Sequence, residues 1–446
     1  MRKLSKTTAP FFVVLAALAV VWILLVVVQW HVDRPRRGPQ PPPPVLGVRE
    51  RFGLLAPEPV WGELEAFQRS ITGPEFERLL SEVFSEGGAW QAVFENLTAG
   101  GVDIPTHTGE FFHLEFATAG SGDAAPPRAG RYWRTARELP PLGDVDRPLA
   151  GVRIAIDPGH IGGPWAKTEE RWYRIEEGVD VMEGEMTLRV AKLLAPRLER
   201  LGAAVTLVRK SNAPVNSLSP SDFAGTARAY LQSALIDPDN PDNPRSHTVP
   251  WQSEKLFYRT HEIRTRAWLV NAVIEPDVVV CLHFNAEAWG NPARPQFVPR
   301  NHLHLLVNGT YSAAEMRLHD QRFDMVSRLL SRVHGEERAL SEAVAASMAA
   351  ATGLPAYEYT TPNAKRVGPS PYVYARNLLA NRVYRCPVVF IEPYVMNNRE
   401  VHDRVKAGDY EGLKMVAGQQ RQSIFREYAD GVAEGLKNYY STNRRR

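Results

Sequence analysis

VRIAIDPGHIGG, residues 152–163, is the stretch whose reading decides the fold. Its first half sets apolar, partly β-branched residues in alternation and predicts a strand buried on at least one face. Pro158 and Gly159 end the ladder, because neither continues it comfortably. His160 follows at once, and Gly162 and Gly163 let the backbone stay close to whatever the imidazole holds. In an open α/β sheet, ligands bind just beyond the carboxyl ends of strands. A histidine delivered there is placed for metal or proton chemistry, although a lone one more often only caps the turn.

Outward from this stretch, strands alternate with helices. The pattern predicts strands at 152–157, 203–208, 277–284, 303–307 and 387–392. It predicts helices at 186–201, 256–274, about 313–333, 341–352 and a last one ending near Tyr440. Such interleaving implies a twisted, mostly parallel sheet flanked by helices, occupying residues 148–446. A polar, Pro-rich insertion at 210–252 shows little periodicity, as lids, binding loops or disordered segments do. Pro196 is expected to kink or break the helix that carries it.

Residues 46–147 read as a small α+β region of unassigned role. Helical spacing covers 62–70 and 74–84, 89–97 fits a helix or a strand, 111–117 alternates as a strand, and 120–130 is a loop. His107 and His113 are taken as surface or packing residues. Residues 31–45 form a Pro-rich linker, extended and semi-rigid, that separates the folded part of the chain from the segment before it. Residues 10–30 carry no charge and are long enough to span a bilayer. Their Val-Val-Val-Gln-Trp-His end argues for an uncleaved anchor over a signal peptide. The expectation is a single-pass protein of the inner (cytoplasmic) membrane, with residues 1–9 in the cytoplasm and the bulk on the periplasmic, extracytoplasmic side.

Among 446 residues, 44% are hydrophobic and 23% charged, which is ordinary for a globular protein. Lys and Arg number 53 against 50 Asp and Glu, a balance that argues against nucleic-acid binding. Neither phosphate-cradling glycine motif occurs. Cys281 and Cys386 are too few for a disulfide framework and read as buried thiols, with one bridge between them left open.

Three more polar residues fall where the strand pattern makes them special. His283 ends one apolar strand (DVVVCLHF) and Glu392 ends another (PVVFIE), where a carboxylate is costly unless it is partnered. Glu183 lies just ahead of a helix whose dipole favours its ionised form. Two imidazoles and a carboxylate, His160, Glu183 and His283, form the ligand set of a catalytic zinc with an open fourth position. Zinc acidifies water and polarises a carbonyl, and Glu392 would accept the water proton and pass it to a leaving nitrogen.

The ordered segments DPGHIGG, EGEMTLRVAKLLAPRLERLGAAVTLVRK, RAWLVNAVIEPDVVVCLHFNA and PVVFIEPYVMNN resemble the motifs of zinc-dependent N-acetylmuramoyl-L-alanine amidases. The resemblance runs from about Leu149 to the C-terminus, apart from the insertions. It implies an amidase-like sheet and cleavage of the amide between the muramic lactyl group and L-alanine in peptidoglycan. Carried over by motif, it implies zinc on His160, Glu183 and His283, and Glu392 as the general base. Glu183, rather than Glu185, keeps the family spacing to the Thr-Leu pair and Gly202. Ile161 stands where the family has glycine, the 161–182 segment is longer, and 211–252 and 308–340 have no simple counterpart. Unchecked wall hydrolysis is lethal, so one of these last two is expected to cover the site until a protein activator moves it. Three alternative readings stand beside this one. His302 and His304 share a strand face and could take a metal, though such spacing is more often incidental. Another zinc peptidase of wall peptides, such as a carboxypeptidase, would use the same centre. A silent wall-binding module would not need it. Glu169, Glu170, Glu176 and Glu177 read as a solvated face, of which one could instead contact substrate, and Arg266 and Asn271 as packing or hydrogen-bonding residues behind the site.

Overall fold

The computed structural model describes residues 52–118, 130–177, 180–288, 290–291 and 294–445. The cytoplasmic tail, membrane span and linker expected before residue 46, and nearly all of the 120–130 loop, lie outside them. Among the described residues no helix is long and apolar enough to cross a membrane.

Seven strands form the central sheet: β1 Arg153–Pro158, β2 Ala204–Leu207, β3 Val278–Leu282, β4 Leu303–Val307, β5 Lys365–Arg366, β6 Val373–Ala375 and β7 Val388–Pro393. Their order is β2-β1-β3-β7-β4-β6-β5. β2, β1, β3 and β7 run parallel, whereas β4 is antiparallel to β7 and β5 to β6. The sheet is therefore mostly parallel, as the alternation implied, with a reversal beside β7. The five strands read from sequence are present with ends moved by up to two residues. β5 and β6 are too short to show any alternation.

Side chains of successive strand residues point to opposite faces. Ile154, Ile156, Val278, Val280, Leu282, Val389 and Ile391 enter one core, with residues of α1 Glu183–Arg200, α3 Val333–Thr352 and α4 Ile424–Asn443. Ala155, Val279, Cys281, Leu306, Val388 and Phe390 enter a second core on the other face, with Ala267 and Val270. The latter two sit on a helical run from Val249 to Ile274 whose turns alternate between α and π type.

α1 continues through Pro196 rather than stopping there. Val190, Ala191, Leu194 and Leu198 are buried on both sides of the proline, so packing outweighs one missing N–H. The 210–252 insertion is also more ordered than its composition suggests. It contains the helix Ala224–Ser233, whose Ala227 and Leu231 are fully buried. The 308–340 segment supplies α2 His319–Leu330 and the start of α3, both largely buried.

Residues 52–118 share the first core rather than forming one of their own. Leu64, Phe67, Phe76 and Phe84 join Val326 and Leu329 of α2, and Trp61 meets Phe323 edge-on at 5.3 Å. A hairpin pairs Gly101–Pro105 with Phe111–Glu115, and its first strand carries no sequence signal because Gly, Asp and Pro all disfavour strands. His113 is exposed and bonded to Asp103, as a surface histidine should be.

Both cysteines are free and buried. Cys281 pairs in register with Phe390, four residues beyond Cys386 on the neighbouring chain path. The bridge left open by the sequence is absent from the structure.

Candidate metal centre

The carboxyl ends of β1, β3 and β7 stand side by side. Pro158 is level with Leu282, and Leu282 with Ile391. The next residue or two on each strand are Gly159 and His160, His283, and Glu392. Residue parity puts His283 and Glu392 on the face that holds Cys281 and Phe390, and the His283 ring stacks on Phe390 at 4.4 Å.

His160 sits in the left-handed region, with φ of +61°, a conformation histidine tolerates better than most residues. Three polar side chains fix this turn. Thr187 donates to the Gly159 carbonyl (2.7 Å), Arg209 to those of Pro158 (3.3 Å) and Gly184 (2.7 Å), and Arg266 to those of Pro158 and His160 (both 2.8 Å). Arg266 is itself held by Asp157 and Glu262, each at 2.9 Å. Arg266 thus acts behind the site, whereas Asn271 bonds Tyr132, Val383 and Arg385 at a different place.

Glu183 is the first residue of α1, three positions earlier than helical periodicity indicated. Its buried carboxylate reaches both imidazoles: Oε2 lies 3.2 Å from His160 Nε2, and Oε1 lies 3.2 Å from His283 Nδ1. The Phe284 amide donates to Oε1 at 3.1 Å. Glycine is required on both sides of this arrangement. A Cβ on Gly159 would fall 2.3 Å from the His283 ring, and one on Gly184 would fall 2.3 Å from the Ile161 backbone. Glu185, the rival carboxylate, accepts from Gly163 N (3.1 Å) and Asn212 Nδ2 (3.4 Å) and braces the glycine loop instead.

Burial alone would raise Glu183, but the His160 and His283 charges and hydrogen bond hold it below the usual carboxylate range. Burial depresses His160 well below an ordinary imidazole and so keeps it neutral. Burial acts the same way on His283, but its bond to Glu183 and the field of Glu392 raise it overall. Burial lifts the half-buried Glu392 to about 7, against the lowering field of His283. One ligand atom from each of His160, Glu183 and His283 lies within 4.8 Å of the others. Two imidazoles and one carboxylate, so gathered, fit a divalent ion of zinc's character.

Glu169 corrects the reading of 169–177 as a solvated face. It is 4% exposed, accepts from the Ile161 amide at 2.6 Å, and its Oε1 lies 3.6 Å from His160 Nδ1. A carboxylate behind a metal-binding imidazole fixes the ring's orientation and tautomer. Nothing in the acid-rich run EERWYRIEE distinguishes it from Glu170 and Glu176, which pair with Arg245 and Arg399 at the surface. Glu169→Gln is expected to weaken zinc binding by about 10- to 100-fold without unfolding the protein, measured by competition with a chelating dye. Unchanged affinity would remove Glu169 from the centre. Ile161, the departure from the glycine pattern, is fully buried with Phe223, Leu256 and Phe257, and so ties the insertion to the metal turn.

His302 and His304 do not join the cluster. His302 Nε2 lies 3.1 Å from Glu287 and His304 Nε2 lies 3.0 Å from the Tyr359 hydroxyl.

No family model matches the chain, and no curated protein does. Several solved structures align with about two thirds of it. The CwlD amidase from Clostridioides difficile, in complex with the GerS lipoprotein, is 12% identical over 66% of this chain and 100% of that one, with a TM-score of 0.36. The N-acetylmuramyl-L-alanine amidase Ami1 from Mycobacterium abscessus is 17% identical over 65% and 99%, TM-score 0.34. The N-acetylmuramoyl-L-alanine amidase AmiC2 of Nostoc punctiforme is 14% identical over 65% and 98%, TM-score 0.35.

Proposed function

We propose that this chain is a zinc-dependent amide hydrolase of peptidoglycan that cuts the bond between N-acetylmuramic acid and L-alanine. One observation carries the reading: His160, Glu183 and His283, spread over more than a hundred positions, bring ligand atoms within 4.8 Å of one another at the carboxyl end of the sheet. Glu392 ends the next strand on the same face. The ordered sequence motifs supply the substrate class, which the metal set alone would leave open.

Zinc, when bound by the two histidines and Glu183, would polarise the amide carbonyl and make water acidic enough to attack at neutral pH. The chain's own residues do the rest. Glu169 lies behind the His160 ring and bonds the Ile161 amide, and Arg266, Arg209 and Thr187 hold the turn that carries the ring. Glu392, raised by burial toward neutrality, takes the water proton and returns it to the departing nitrogen, as a group with that proton affinity does best.

Digestion of purified sacculi with the zinc-loaded protein tests the reading. Mass spectrometry is expected to show intact stem peptides freed from glycan strands with new L-alanine amino termini. Peptides shortened at the carboxyl end would make the protein a carboxypeptidase instead, and no release would make it a binding module.

A further inference from the structure

We propose that Arg376, braced by Tyr359 and His304, forms a subsite beside Glu392 for a carboxylate of the substrate's peptide. This deepens the wall-hydrolase reading and rests on it. The geometry starts at the reversal in the sheet, where Glu392 on β7 pairs directly with His304 on β4. Directly opposed residues share a face, with Cβ atoms about 5 Å apart. His304 therefore stands beside Glu392, on the side away from His283.

His304 is 3% exposed, and its Nε2 lies 3.0 Å from Tyr359 Oη. Arg376, which follows β6, donates from Nη1 to the same Oη at 3.4 Å. The Tyr359 hydroxyl can donate to His304 Nε2 or accept from it, and the other ring nitrogen of His304 is Nδ1. That atom is buried without a hydrogen-bond partner, as is Nδ1 of His302, whose ring lies 6.1 Å away. Buried polar atoms are rarely left so, and each calls for an explanation such as a water or an ion.

Arg376 differs in its partners from several buried arginines of this chain. The buried Arg266, Arg328, Arg382 and Arg404 each pair with a carboxylate. Among the described residues no carboxylate pairs with Arg376, and its Nε and Nη2 make no hydrogen bond. They form the side of the guanidinium that grips a carboxylate with two parallel bonds. The residue is half-buried, so solvent reaches it, and its field bears on Glu392. A stem peptide brings acidic groups just beyond the amide to be cut, which gives this cation an occupant.

The test uses full-length, zinc-loaded protein in the Glu392→Gln background, so that ligands survive the titration. The probes are N-acetylmuramoyl-L-alanyl-D-glutamate and its fully amidated counterpart, measured by calorimetry. Arg376→Gln is expected to weaken binding of the acidic peptide at least about tenfold, while zinc content and binding of the amidated peptide stay unchanged. Tyr359→Phe, which removes only the brace, should weaken the acidic peptide a few-fold. Equal binding of the acidic peptide with and without Arg376, an equal loss for both peptides, or no binding to the parent would each overturn the subsite. Hydrolysis of the same dipeptide by the Glu392-containing protein reports separately on the wall-hydrolase reading.

Discussion

Glu392→Gln is expected to retain a full complement of zinc and lose about 10²- to 10⁴-fold in amide hydrolysis, the range spanned by a positioned acid–base group. Glutamine keeps the size of the side chain and removes its proton affinity. His160→Ala and His283→Ala should behave in the opposite order, losing metal first and activity as a consequence. Metal analysis beside single-turnover assays separates the two classes. Full zinc in either histidine variant would break the ligand assignment, and an active Glu392→Gln would break the assignment of the base.

The second large effect is expected behind the site. Arg266 bonds Asp157, Glu262 and the carbonyls of Pro158 and His160, and all four of its partner groups lie in or against the sheet. Arg266→Leu fills the space but leaves two buried carboxylates without their cation. Breaking a buried ion pair from one side costs about 3–5 kcal/mol. Urea unfolding of the zinc-loaded variant should show a loss of that size, together with weaker zinc binding because the His160 turn loses its clamp. Arg266→Lys should recover only part, since an ammonium cannot match the planar fork. A loss below about 1 kcal/mol for the leucine variant would show that the network is dispensable.

These two predictions draw on very different amounts of sequence signal. His160, His283 and Glu392 were legible because each directly follows or ends an apolar, β-branched run, and strand ends in such sheets are where ligands bind. Glu183 was legible at a helix start, although the helix begins three residues sooner, at Glu183 itself. Glu169 was not legible. Its burial depends on the short helix Trp165–Thr168 folding it back under the Ile161 amide, a contact that no periodicity encodes. Arg209 stands in the same position, since an arginine reads as surface until the buried carbonyls it caps are seen, whereas Arg266 was read as a hydrogen-bonding residue behind the site and is one. Arg376 was invisible for a simpler reason: β6 has three residues, and the arginine connects to the Glu392 side of the sheet only through Tyr359 and His304, the residue paired with Glu392.

Locating the metal itself is the most direct trial of this account. Anomalous diffraction collected on both sides of the zinc absorption edge, from crystals grown with zinc, should show one strong peak bounded by His160 Nε2, Glu183 and His283 Nδ1. A peak elsewhere in the fold, or none at these three residues, would contradict it.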